Sequence, residues 1–262
     1  MRPARLIPDR LAVVLVAHGS RDPRAAAATS ALARAVRRAR PEWAVRASYL
    51  DHAGPRPLDV LAELPGRRAV VVPLLLTAAY HGRVDIPAVL AEAAGLPIDI
   101  TLADVLGPLP TARPRSSAVP SLLLDALSRR LSDAAVAPDG SPLDAVVLAA
   151  AGTRDAAARE TVEWAAEALS ARLSLPCAVA YASAAPPTAG EAVARLRAEG
   201  ARRVGMSAYF LAPGFLYDLA VRSAQEAGAV AAASPLTDAP ELVRLVTARV
   251  AAAQAGSLAP AA

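Results

Sequence analysis

Three histidines, His18, His52 and His81, all fall within the first third of the 262-residue chain. His18 directly follows the apolar run 11–17 and opens the stretch His18-Gly19-Ser20-Arg21-Asp22-Pro23. His81 stands five residues beyond a second apolar run, 69–76, in Tyr80-His81-Gly82-Arg83-Val84-Asp85-Ile86-Pro87. Between them, Asp51 and His52 follow a third candidate strand, 44–50. Neutral imidazoles bind borderline divalent metals such as cobalt or iron, and they take up protons near neutral pH. Asp51 would add a carboxylate ligand or a proton acceptor, whereas His52 reads either as a ligand or as a surface residue. Gly19 and Ser20, at a strand-to-helix turn, would offer backbone amides to an anion.

These residues need elements that bring them to one edge. The run 11–17 is apolar throughout, as expected of a strand buried on both faces of a parallel sheet. Asp22-Pro23 then supplies a helix cap and a first-turn proline. The pattern continues as helix 25–40, strand 44–50, helix 57–64, strand 69–76, a helix opened by Asp85-Ile86-Pro87 and ending near 94, and strand 98–103. Such alternation predicts an α/β fold, a parallel sheet flanked by helices. The histidines would then emerge at the C-terminal ends of strands, where open α/β sheets bind ligands. The segment 107–120, rich in Pro and Ser, reads as a connection leading into a helix that ends near 132, and 138–142 reads as a turn.

At 143–149 the pattern restarts. Ala17-His18-Gly19-Ser20-Arg21-Asp22 matches Ala150-Ala151-Gly152-Thr153-Arg154-Asp155 at an offset of 133 residues. The same offset carries the run 69–76 onto 202–209, Val71 onto Val204 and Asp85 onto Asp218. The chain therefore divides into two copies of one α/β unit, 1–118 and 119–262. At that offset His18 becomes Ala151, His81 becomes Gly214, and Asp51 and His52 fall on Ala184 and Ala185. The first copy holds the imidazoles; the second reads as a degenerate repeat that is structural or completes the pocket wall.

Composition narrows the alternatives. All 28 Lys-plus-Arg residues are arginine, so no P-loop lysine and no Schiff-base lysine exists, and the net charge is +4. Aromatics make up 3% of residues and no long basic run occurs, which argues against nucleic acid as a partner. One cysteine, Cys177, excludes an intrachain disulfide framework and reads as a small core residue. The run 11–17 is too short for a membrane span, so a cytoplasmic protein with no membrane partner is expected. No G-x-G-x-x-G follows a strand and no G-x-S-x-G occurs, and no organic cofactor is called for. The Ala/Gly/Ser-rich tail after about 252 is expected to be disordered.

Taken together, the His18-Gly-Ser-Arg-Asp-Pro motif, Tyr49-Leu50-Asp51, the run Val71 to Leu76, and His81 with Asp85-Ile86-Pro87 resemble the sirohydrochlorin chelatases, class II chelatases of cobalamin and siroheme synthesis. Tyr209-Phe210-Leu211-Ala212-Pro213-Gly214 is similar to the family's degenerate half. The resemblance implies two similar α/β units facing each other across a cleft that holds the macrocycle. It implies metal insertion into sirohydrochlorin, with Co2+ or Fe2+ as substrate. His18 and His81 would bind the metal and accept pyrrole protons. The family commonly carries Glu where Asp51 stands, which makes Asp51 the candidate third metal ligand. Gly19, Ser20 and Arg21, with Arg24 and Arg83 nearby, would receive the macrocycle's carboxylates. Two fused copies form the cleft within one chain, so a monomer suffices. Two other readings stay open at this point: a metal or tetrapyrrole carrier without turnover, and an interaction protein whose histidines are incidental.

Overall fold

A computed structural model of the protein describes residues 10–64, 68–77, 86–109, 118–135 and 141–258. The order of elements is β1 (Ala12–Ala17), α1 (Pro23–Ala39), β2 (Ala44–Tyr49), α2 (Pro57–Ala62), β3 (Arg68–Pro73), α3 (Ile86–Ala93), β4 (Asp99–Leu102), α4 (Ser121–Ala134), β5 (Ala145–Ala150), α5 (Ala156–Leu173), β6 (Cys177–Tyr181), α6 (Ala189–Ala198), β7 (Val204–Tyr209), α7 (Phe215–Glu226), β8 (Ala231–Ala232) and α8 (Pro240–Leu258). The strands form two four-stranded sheets, β2-β1-β3-β4 and β6-β5-β7-β8, and every pairing is parallel. The expected α/β architecture of two similar units is what the chain adopts.

The apolar runs account for the sheets. Along β1, Val13 and Leu15 face a large core that includes residues of both units, while Ala12, Val14 and Val16 face a smaller one with Val60, Leu61 and Ile86 from α2 and α3. A strand buried on both sides has no polar face, hence its unbroken hydrophobicity. Helix starts follow from capping: Asp22 accepts a hydrogen bond from the Arg24 amide, Asp155 from the Ala158 amide, and Thr188 forms a capping box with Glu191.

The last helix crosses between the units. Helix α4 packs on β7 and β8 of the second sheet, whereas α8 packs on β3 and β4 of the first and against α1. The two helices also pack on each other. Arg129 of α4 donates two 3.0 Å hydrogen bonds to the carboxylate of Glu241 in the first turn of α8. Further cross-unit bonds run from the Tyr209 hydroxyl to the Leu76 carbonyl (3.0 Å) and from the Arg249 guanidinium to the Gly107 carbonyl (3.3 Å).

Two sequence expectations are corrected. The segment 253–258 is helical, because α8 continues through Leu258; alanine, frequent in it, is the strongest helix former. The single repeat offset also fails beyond the first helix. It is 133 through β1 and α1, but Ala17 pairs with Tyr49 and Ala150 with Tyr181, giving 132 at the second strand. Val13 pairs with Val70 and Val146 with Gly205, giving 135 at the third. Connections of unequal length cause the drift, and Asp51 and His52 correspond to Ser183 and Ala184. The proposed equivalence of His81 and Gly214 lies partly outside the described residues.

The Arg129–Glu241 pair yields a prediction. Glu241 is largely buried, and the Arg129 guanidinium holds its carboxyl below the usual carboxylate range. Such a group stabilises the fold above its unfolded pKa and loses that contribution as pH falls through the folded value. Glu241→Ala is expected to cost about 1–2 kcal/mol at pH 7. In denaturant titrations at several pH values, the gap from wild type should close below about pH 4.

Candidate functional site

The C-terminal ends of β1 and β5 meet between the two units, and two adjoining hollows open there. The first is lined by the turn 17–20, by α1 residues such as Ala25 and Thr29, and by Phe210, Leu211 and Pro213 from the second unit. The second is lined by the equivalent turn 150–153, by Val162 and Tyr181, and by Leu74 to Thr77 from the first unit. They hold about 270 and 280 Å³. Four residues line both: His18, Leu74, Phe210 and Leu211. The hollows thus form one crevice with the half-buried His18 at the junction.

Local backbone geometry sets the position of His18. Gly19 has φ +95°, and a Cβ there would sit 1.7 Å from the Asp51 carbonyl oxygen. The Asp51 amide donates to the His18 carbonyl at 2.8 Å, so the loop after β2 clamps the turn after β1 through backbone alone. The second unit keeps this clamp: Gly152 has φ +94°, its Cβ would lie 1.9 Å from the Ser183 carbonyl oxygen, and the Ser183 amide donates to Ala151. Only glycine meets both demands, a left-handed backbone and a close approach.

The sequence-predicted site residues fare differently. Gly19 and Ser20 line the first hollow, and the Ser20 hydroxyl accepts a 3.0 Å hydrogen bond from the Asp22 amide. Arg21 is exposed and does not line the described walls of either hollow. Arg24 is occupied: it pairs with Asp22 and, across the units, with Asp218 of α7, both at 2.6 Å. Asp51 is half exposed; its Oδ1 accepts from the His52 amide at 2.8 Å, and Arg56 lies 3.8 Å away. That amide bond, aided by the charges of His52, Arg56 and His18, holds the Asp51 carboxyl below its ordinary value, so it is ionised at neutral pH. The His52 ring stands edge-on to that of His18, with centroids 6.3 Å apart. His81, Tyr80, Arg83 and Asp85 lie outside the described residues. Among the described residues, no three His, Cys, Asp or Glu side chains converge as a metal site.

Sequence reasoning offered the second unit as a wall of the cleft without singling out the residues that form it. Phe210 and Leu211 were visible only as a likeness to the degenerate half, and Tyr181 aligns with Tyr49 only at the corrected offset of 132. Cys177 behaves as expected of a core residue: burial pushes its thiol up to about 12, so no thiolate forms at neutral pH.

Comparison with known proteins supplies the family. The family model described as CbiX matches residues 12–114 and 145–253, once in each unit. The chain belongs to the CbiX family. A CbiX-type repeat in each half is the counterpart of the two sheets. A curated relative, the sirohydrochlorin cobaltochelatase of Methanococcoides burtonii, is 25% identical over 85 residues. That match spans 31% of this chain and 65% of the relative, less than two thirds of its length. Among solved structures, SirB from Bacillus subtilis with Fe3+ aligns over 95% of this chain and 97% of its own, with 22% identity and a TM-score of 0.74. SirB of the subspecies spizizenii in complex with cobalt aligns over the same shares with 20% identity and a TM-score of 0.74. At these identities the structures establish a shared two-unit fold.

The turn geometry predicts an asymmetry between glycines. Gly19→Ala is expected to destabilise the protein by more than about 1 kcal/mol, since strain at φ +95° adds to the clash with Asp51. Gly95→Ala, with open space around its Cβ, should stay within about 0.5 kcal/mol of wild type. Chemical denaturation midpoints measure both.

Proposed function

We propose that this CbiX-family protein is a sirohydrochlorin chelatase, inserting Co2+ or Fe2+ into the macrocycle within the crevice between its units. The observation that carries the reading is the position of His18, an imidazole at a strand end where both hollows meet. Insertion breaks two pyrrole N–H bonds and forms metal–nitrogen bonds, so two protons must leave as M2+ enters. His18 and His81 are assigned to both tasks: each presents a nitrogen lone pair to the incoming ion, and each then accepts or relays a pyrrole proton. Asp51, ionised and next to the His18 turn, is assigned as a third metal contact that lowers the cost of bringing a dication to two neutral ligands. Gly19 and Ser20 would offer the first hollow's backbone amides to a macrocycle carboxylate. Arg21, exposed beside the turn, would meet a second carboxylate at the rim.

The apolar remainder of the lining suits a flat macrocycle. The described walls of the two hollows carry no acidic or arginine side chain, so the ring would lie against Leu74, Phe210 and Leu211. One chain supplies both walls, which supports a monomeric functional unit. The reading includes a cytoplasmic site of action and a division of the repeats at 118/119; among the described residues no helix is long and apolar enough to cross a membrane.

Anaerobic insertion of Co2+ and of Fe2+ into sirohydrochlorin, followed by absorbance, tests the proposal. Wild type should accelerate at least one metal. His18→Ala and His81→Ala should each lose about 100-fold or more of that acceleration. A smaller loss, about 10-fold, is expected for Asp51→Ala. A wild-type rate equal to the uncatalysed rate for both metals would overturn the assignment and favour a carrier.

A further inference from the structure

In the second half of the crevice the imidazole is gone, but a hydrogen-bond donor is left over. The two hollows are counterparts built by the two units: the turn 17–20 corresponds to 150–153, Thr29 to Val162 and Tyr49 to Tyr181. The two tyrosines differ in one respect. The Tyr49 hydroxyl donates to the Ala26 carbonyl at 3.2 Å. Tyr181 is 4% exposed, yet its hydroxyl has no hydrogen-bond partner among the described residues. Buried polar groups are almost always paired, and an orphaned one is costly. Burial, and then the negative charge of Glu163, raises the Tyr181 phenol above its ordinary value, so it keeps its proton and remains a donor through the neutral range.

The rest of the second hollow is consistent with a ligand there. Gly152 retains the left-handed turn, and Asp155 caps the 18-residue helix α5 immediately beyond it. Apart from Tyr181, the polar side chains on its described walls are His18, Thr77, Thr153 and Tyr209, whose hydroxyl is already engaged by the Leu76 carbonyl. Each hollow alone falls below the roughly 300–1,000 Å³ usual for small-molecule sites. A macrocycle in contact with His18 therefore extends into both.

We propose that the second hollow is a subsite for one edge of the tetrapyrrole, and that Tyr181 donates its phenolic hydrogen to a carboxylate oxygen on that edge; this rests on the chelatase reading above. Because the Tyr49 hydroxyl is already engaged, the two ends of the crevice present different donors. The ligand is thereby held in one orientation, and Tyr181 is a positioning and specificity residue.

Tyr181→Phe removes a single oxygen and tests this directly. Sirohydrochlorin affinity is measured by fluorescence quenching, stability by the thermal midpoint, and insertion at saturating tetrapyrrole by absorbance. The expected result is binding weakened about tenfold, a midpoint unchanged or raised because the orphaned hydroxyl is gone, and saturated insertion within about twofold of wild type. Unchanged affinity alongside a wild type that binds and inserts metal overturns this proposal alone, whichever way the midpoint moves. A wild type that does not bind sirohydrochlorin overturns both this proposal and the chelatase reading.

Discussion

The first sheet is closed by the last helix of the second unit, and the crevice depends on that crossing. Helix α4 opens the second unit and packs on β7 and β8, and α8 returns to pack on β3 and β4. The two helices meet each other in the middle, tied by Arg129 and Glu241. With apolar faces interleaved in this way, the units do not behave as two beads on a linker. Their strand ends are held at a fixed separation, and so is the space between His18 and the wall formed by Phe210 and Leu211. A site assembled from two units needs that rigidity, since reacting groups carried by different units must be held in register to a fraction of an ångström.

Within this frame the copies have kept what is structural and parted in what is chemical. Gly19 and Gly152 have nearly the same φ and the same close approach to the carbonyl of the neighbouring loop. Asp22 and Asp155 both cap the following helix. The turn is thus a folding device first, and His18 is a substituent placed on it. Replacing the imidazole by a methyl at Ala151 costs the second unit nothing in backbone geometry. The opposite happened at the tyrosines, where one hydroxyl serves the fold and the other does not.

Most of the fold was legible because parallel strands buried on both faces leave unbroken apolar runs, as at 12–16 and 145–150. The setting of His18 was legible for the same reason: a histidine after such a run must stand at the strand's C-terminal edge. The single offset of 133 was read correctly at the turns and wrongly at the second and third strands, because insertions in loops leave no trace in hydrophobic periodicity. Arg24 looked like a receptor for a ligand carboxylate, but Asp218, 194 residues away, already occupies it. No local pattern reports that pairing. The helix over 253–258 is illegible for a different reason: alanine-rich sequence suits a flexible tail as well as a helix, and α8 has the first sheet to pack against.

The return of α8 also sets an order of events during synthesis. The ribosome releases β1 to β4 more than a hundred residues before residues 240–258 exist. Until then one face of the first sheet, including Val13, Leu15 and Val70, lacks part of its cover. The second unit can acquire α4 early, since that helix precedes its sheet, and so it can close first. The half that carries the histidines is therefore the half completed last, and a nascent chain cannot present a finished crevice before α8 has docked.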